Sequence, residues 1–250
     1  MSRRRFFAPP GAFTSNRQSL TLQADEARHL REVLRLKVGD EVSVFDGLGR
    51  EFNCSIEETR KDSARLSVIR EIEPARPESP IKLTLAVALL KGEKFDLVVQ
   101  KTTELGVTRI VPVMTKLADI RLKDESDADK RVARWQRIAL EAAKQSGRAV
   151  VPEVSVPVTL ERLIDSAGDD RARFMFSERG GQSLADLEIL KPSVSITALV
   201  GSEGGWTDEE ISVAANADWR VVTLGGRTLR AETAAIAVTV LFQHLYGDLS

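Results

Sequence analysis

One cysteine, two histidines and no apolar run of membrane-spanning length set the first limits on this 250-residue chain. Cys54 standing alone excludes an intrachain disulfide framework and any zinc site built from several cysteines. His29 and His244 lie far apart in the sequence, so no metal centre is expected. The longest apolar stretches are broken by Lys, Thr or Asp, so no membrane partner is expected either. The opening Met1-Ser2-Arg3-Arg4-Arg5-Phe6-Phe7-Ala8-Pro9 is basic but lacks an apolar core of signal-peptide length, and the expected location is cytoplasmic. Two phosphate-binding signatures are missing as well. There is no G-x-x-x-x-G-K-[ST] segment, and Gly201-Ser202-Glu203-Gly204-Gly205 does not follow G-x-G-x-x-G.

What is present is ordinary in bulk and uneven in distribution. The chain is 42% hydrophobic and 29% charged, as expected of a globular protein. Its net charge of −1 hides an asymmetry: residues 1–150 carry 28 Lys and Arg against 22 Asp and Glu, whereas residues 151–250 carry 8 against 15. A polyanion would therefore be held mainly by the first 150 residues; ordinary variation of surface charge is the alternative.

The hydrophobic rhythm changes once. Ser19–Leu22, Glu41–Phe45, Glu51–Ile56 and Ala64–Ile69 read as short strands, Asp46-Gly47 as a hairpin signal, and Asp25–Leu36 as a helix. Together they predict a small antiparallel barrel over residues 1–73. Three prolines within Pro74–Pro80 disfavour helix and ladder alike and mark a linker over 74–80. From residue 81 to 250 strands alternate with helices: Ile81–Leu90, Lys94–Leu105, Arg109–Val113, Asp129–Gln145, Leu160–Ile164, Phe174–Phe176, Ile196–Val200, Val221–Leu224 and Ala231–Leu245. Thr207 and Glu210 fit a capping box. This alternation predicts an α/β domain with a parallel sheet.

Two segments of the second domain carry the chemistry. Leu199-Val200-Gly201-Ser202-Glu203-Gly204-Gly205 and Leu224-Gly225-Gly226-Arg227-Thr228-Leu229-Arg230-Ala231-Glu232-Thr233-Ala234 each run from an apolar strand through a glycine-rich turn into a helix. Open α/β sheets bind ligands at the carboxyl ends of their strands, where both turns fall. Glycine there lets main chain approach a ligand without an intervening side chain. Glu203 would repel a pyrophosphate, so the first turn suits a cationic or zwitterionic ligand; S-adenosylmethionine is one.

The same two segments resemble the cofactor-binding signature of the SPOUT methyltransferases and, more narrowly, of the RsmE-type 16S ribosomal RNA (uracil-N3)-methyltransferases. Arg5-Phe6-Phe7, His29–Arg35 with Gly39-Asp40, Leu90–Lys94 running on to Thr103–Val107, and Glu141–Arg148 resemble that family too, in order along nearly the whole chain. The resemblance implies a PUA-like RNA-binding barrel followed by a trefoil-knotted catalytic domain that forms a homodimer, with the small ribosomal subunit RNA as partner. It implies methyl transfer from S-adenosylmethionine to N3 of a specific uridine.

On that reading, adenine and ribose lie among Phe176, the turn holding Leu199, Val200, Gly201, Glu203 and Gly204, and the turn holding Leu224, Gly225 and Leu229, with Thr233 beyond. Arg230 is the candidate to stabilise the uracil anion formed when the N3 proton leaves. Pairing with Glu232 or a helix end is its structural alternative. Glu232 is a candidate base, or else holds the cofactor or the last helix. The basic candidates for RNA phosphate are Arg3, Arg4, Arg5, Arg28, Arg31, Arg35, Lys91, Lys94, Arg121 and Arg148. Cys54, remote in sequence from both turns, is no candidate for the covalent adduct that carbon methylation of pyrimidines uses, which favours direct transfer to nitrogen. A ribose 2′-O-methyltransferase of the same superfamily and a non-catalytic RNA-binding assembly factor remain as alternatives.

Overall fold

The computed structural model describes residues 4–166, 172–184 and 195–249. The chain divides into two compact units, residues 1–78 with 143–151, and residues 79–142 with 152–250. The first unit thus reclaims Ala143–Val151, a stretch that the sequence reading placed in the second domain.

In the first unit, strands β1 (Arg5–Phe7), β2 (Ser19–Gln23), β3 (Glu41–Phe45), β4 (Glu51–Thr59) and β5 (Ser63–Ile72) form one sheet in the order β1-β3-β4-β5-β2. The β3–β4, β4–β5 and β2–β5 pairs are antiparallel, and β1 runs parallel to β3. Alternation along the strands turns Leu20, Leu22, Val42, Val44, Cys54 and Leu66 inward to a shared apolar core. The helix expected over Asp25–Leu36 is shorter. An α-helical turn, α1 (Ala24–Arg28), widens into a π turn over His29–Val33, where Leu34 N–H donates to His29 O. That widening rotates Val33 and Leu34 off the buried face that Ala27 and Leu30 occupy, leaving both exposed.

Burial decides the chemistry of the lone thiol. Cys54 is fully enclosed, and desolvation pushes its pKa up to about 12. It should therefore resist a disulfide reagent such as DTNB in the folded protein at about pH 8 and react fully once the chain is denatured. Rapid titration of the native protein would show that the core is open.

The second unit is built on a parallel sheet. Its strands are β6 (Lys82–Ala88), β7 (Arg109–Met114), β8 (Glu153–Val154), β9 (Val158–Thr159), β10 (Ala172–Phe176), β11 (Gln182–Ser183), β12 (Ser195–Val200) and β13 (Arg220–Thr223). The order is β11-β13-β10-β12-β6-β7-β8, with β9 also on β7. Central β6 reads as an almost unbroken apolar run, because a parallel sheet is covered on both faces. The helices are α2 (Lys94–Glu104), α3 (Glu125–Ser146), α4 (Leu160–Ser166), α5 (Asp208–Asn216) and α6 (Ala231–Tyr246). The last four residues of α3 belong to the first unit. Gly106, at φ +89°, ends α2 as a C-cap glycine does. Thr207 Oγ1 accepts from Glu210 N–H at 3.1 Å while Glu210 Oε2 accepts from Thr207 N–H at 2.9 Å, which closes the capping box. No helix among the described residues is long and apolar enough to cross a membrane.

Candidate active site

Because β10 lies between β12 and β13 and all three run the same way, Phe176, Val200 and Thr223 end on one edge of the sheet. The two glycine-rich turns leave from the outer two of these strand ends. Between them is a cavity of about 220 Å³. Phe176, Val200, Leu224 and Leu229 give it apolar walls, and Gly201 and Gly225 bring main chain to its surface. Gly225 and Gly226 take φ of +69° and +70°, a succession that side chains would oppose. At Gly201 a Cβ would stand 3.0 Å from the Trp206 ring, so glycine is required for close packing. Trp206 is fixed in turn by donating from Nε1 to Phe176 O at 2.8 Å, which ties the first turn to the end of β10.

Six of the ten residues expected around a cofactor line this cavity: Phe176, Val200, Gly201, Leu224, Gly225 and Leu229. The other four do not, among the described residues. Leu199 is buried in an apolar cluster with Met175 and Trp206. Glu203 turns outward, where its carboxylate accepts from Lys94 Nζ at 2.5 Å. That bond holds the Glu203 carboxyl below its usual range and the Lys94 ammonium above its own. At Gly204 a Cβ would meet Leu117 O at 2.8 Å, so this glycine serves loop packing. Thr233 is exposed in the first turn of α6.

The structure adds side chains that the sequence reading passed over. Glu178, two residues past β10, lines the cavity, and its Oε1 lies 3.5 Å from where a Cβ of Gly205 would be. Ser202 lines it as well, is 8% exposed, and its Oγ has no hydrogen-bond partner among the described residues. Arg227 is a further charged wall residue. The available signal was position: Glu178 follows a strand end directly, and Ser202 sits inside a turn already suspected of binding.

Arg230 is the N-cap residue of α6 and is exposed. Its main-chain carbonyl accepts from Ala234 N–H at 2.8 Å, but its guanidinium makes no hydrogen bond or ion pair among the described residues, so the pairing with Glu232 weighed as an alternative does not form. The adjoining Ala231 lines the cavity. Glu232 is 9% exposed, off the cavity wall, and its Oε2 is buried without a partner. Its charge, with that of Glu203, acts on Lys94.

Two of the basic candidates are corrected outright. Arg5 pairs with Glu51 at 3.2 Å, with only 7% and 0% of the two side chains exposed. Arg148 is 5% exposed and pairs with Glu78 at 2.6 Å. Both complete the interior of the first unit, where no phosphate reaches them. Arg4 and Arg28 remain exposed in surface pairs with Asp40 and Asp25, and Arg35 is exposed at φ +53°. Arg31 donates to the carbonyls of Arg60, at 2.7 Å, and Lys61. In the second unit Lys91 pairs with Asp119 at 2.8 Å, Lys94 with Glu203, and Arg121 donates to the carbonyls of Thr115 and Lys116. Arg3 lies outside the described residues.

Comparison with known proteins agrees with this architecture. Residues 77–243 match the RNA methyltransferase domain family, and residues 22–69 match the RNA methyltransferase PUA domain family. Fold and site are thus those of an RNA methyltransferase with a PUA-like N-terminal sheet. The chain is 33% identical over 219 residues to ribosomal RNA small subunit methyltransferase E of Synechocystis sp., covering 86% of this chain and 70% of that protein. It is 31% identical over 240 residues to the Bacillus subtilis protein of the same name, covering 92% and 93%. A crystal structure of ribosomal RNA small subunit methyltransferase E from Neisseria gonorrhoeae bound to S-adenosyl methionine matches with a TM-score of 0.87 at 34% identity, covering 99% of this chain and all of that one. The chain belongs to the ribosomal RNA small subunit methyltransferase E family.

Proposed function

We propose that this protein transfers a methyl group from S-adenosylmethionine to N3 of a specific uridine in the 16S RNA of the small ribosomal subunit. The observation that carries the proposal is the cavity between two glycine turns, with an unpaired arginine immediately beside it. The cavity fits an adenosyl ligand. Its apolar walls suit a purine face, and the main chain at Gly201 and Gly225 can read a purine edge. The Glu178 carboxylate on the wall leaves polar capacity for the rest of the ligand. When bound, the cofactor supplies an electrophilic methyl on a sulfonium.

The chain's own residues handle the other partner. Uracil N3 carries a proton on the Watson–Crick edge, so the base must be unpaired or turned out. Negative charge spreads onto the flanking carbonyl oxygens as that proton leaves to water. The Arg230 guanidinium, with no competing carboxylate, stabilises that charge. Glu232 acts as a positioning group: buried in the first turn of α6, its charge acts on Lys94. Cys54 takes no part, which is consistent with direct transfer to nitrogen.

For RNA, Arg4, Arg28 and Arg35 of the first unit and Lys91 of the second are the exposed cations retained in this reading. The surface pairs of Arg4, Arg28 and Lys91 contribute little and yield readily to phosphate. A homodimer, a cytoplasmic location, and trefoil-knotted threading of the second unit belong to the same reading. Mass spectrometry of ribosomal RNA nucleosides from cells lacking the protein tests it. Loss of 3-methyluridine is expected, and loss of a 2′-O-methylated nucleoside instead would overturn the assignment to N3.

A further inference from the structure

We infer that Lys94 Nζ donates a hydrogen bond to one of the two carbonyl oxygens flanking uracil N3, with Glu203 as the residue that positions it. This role rests on the transfer to N3 proposed above and adds a second cation to that reaction. Parallel topology brings the residues together. β6 lies beside β12, with Val87 opposite Val200, so both strands end on the edge that holds the cavity. A helix that follows a parallel strand returns along the sheet, and its first turn therefore sits at that same edge. α2 follows β6, α6 follows β13, and the two helices pack on each other. Lys94 opens α2, while Arg230 caps α6 and Ala231, on the cavity wall, opens it. The charges of Glu232 and Arg230 accordingly both act on Lys94.

Glu203 gives the ammonium a fixed place. Its turn is closed by Gly205 N–H donating to Ser202 O at 3.0 Å, and Gly204 packs against Leu117 O without room for a Cβ. From this stiff turn the Glu203 carboxylate accepts from Lys94 Nζ at 2.5 Å. Each side chain keeps 34% of its surface exposed, so a base brought to the cavity mouth meets the ammonium directly. An ammonium has three N–H donors, and among the described residues Glu203 takes one of them. The bond to Glu203 holds Lys94 above its usual range; Glu232 adds to this and Arg230 opposes it. Lys94 therefore stays protonated and only donates. Uracil presents an acceptor oxygen on each side of N3, and both gain negative charge as the N3 proton leaves. A donor already fixed there bonds the transition state more strongly than the neutral base. Pairing with Glu203 offsets much of the lysine charge, so Lys94 contributes a placed donor where Arg230 contributes a free charge.

Single-turnover methylation of ribosomal RNA carrying uridine, 2-thiouridine or 4-thiouridine at the methylated position tests this contact. Sulfur accepts hydrogen bonds poorly, and Lys94→Met keeps the length of the stem while removing its donors. Lys94→Met should slow transfer to uridine by about 10- to 100-fold, with affinities for RNA and S-adenosylhomocysteine within about a factor of two. One of the two thio substitutions should slow the unaltered protein about 5- to 30-fold more than it slows Lys94→Met, where that oxygen has already lost its donor. Lys94→Arg should recover part of the rate. Glu203→Gln should lower the rate by about 3- to 10-fold and shrink the thio effect with it. Equal thio effects in the unaltered protein and in Lys94→Met would overturn the inference. So would weaker RNA binding with a shallower salt dependence and an unchanged rate, which would make Lys94 a phosphate contact. Should the unaltered protein form no 3-methyluridine on the uridine substrate, the proposed reaction itself falls, and this contact with it.

Discussion

Arg230→Ala is expected to slow methyl transfer by about 10²- to 10³-fold while leaving the affinity for S-adenosylhomocysteine within about a factor of two. The split follows from where the residue stands. Arg230 caps α6 with extended backbone at φ −62° and ψ 150°, and helix formation begins with Ala231, so removing its side chain leaves the fold of the turn intact. Arg230 is also absent from the cavity wall, whereas Ala231 lies on it. On the proposed function, a guanidinium so placed meets charge on the base rather than holding the nucleoside. Single-turnover kinetics on a ribosomal RNA substrate, set beside calorimetry, separates the two effects. Equal losses of rate and affinity would make Arg230 a cofactor contact. Arg230→Lys should recover only part of the rate, because an ammonium is a point charge that cannot span two acceptors as the planar fork does.

The second large effect concerns folding. Arg5→Ala should destabilise the first unit by about 3–5 kcal/mol, measured as a shift in the urea midpoint. Glu51 would then be left fully buried with its charge uncompensated and, among the described residues, only the Ala75 N–H, at 3.0 Å, to bond it. Arg5 does more than pair. Its guanidinium lies 4.0 Å above the Phe45 ring, and Nη2 donates to Arg148 O at 2.9 Å. Arg5→Met combined with Glu51→Leu should recover much of the loss, since replacing both buried charges avoids the orphan. If Arg5→Ala left stability unchanged but weakened RNA binding, the surface role expected from the sequence would be restored.

Those two arginines show where sequence reading stops. Strand alternation at Val42 and Val44 and the Thr207–Glu210 box were legible because each depends on neighbours within a few residues. The two glycine turns were legible because strand, turn and helix follow one another along the chain. Arg5 and Arg148 were misread as phosphate contacts because a basic side chain looks alike wherever it points. Their partners, Glu51 and Glu78, lie 46 and 70 residues away. The π turn after α1 was missed because a five-residue hydrogen-bond step leaves no mark in apolar spacing. Within the site, Glu203 and Glu178 exchanged parts. The acid inside the turn faces Lys94, and the acid one strand over faces the cavity.

The return of Ala143–Val151 to the first unit bears on how the protein is made. Gly49 N–H donates to Ala149 O at 3.1 Å and Val151 N–H to Gly47 O at 3.0 Å, while Arg5 waits for the carbonyl of Arg148. A ribosome that has finished Glu78 has therefore not yet released everything its N-terminal sheet needs. At about 5–20 residues per second, the missing stretch follows about 4–15 s later, after β6, α2 and β7 have been translated. The nascent sheet must persist through that interval with an open seam, and pulse proteolysis of stalled chains ending before and after Val151 would reveal it.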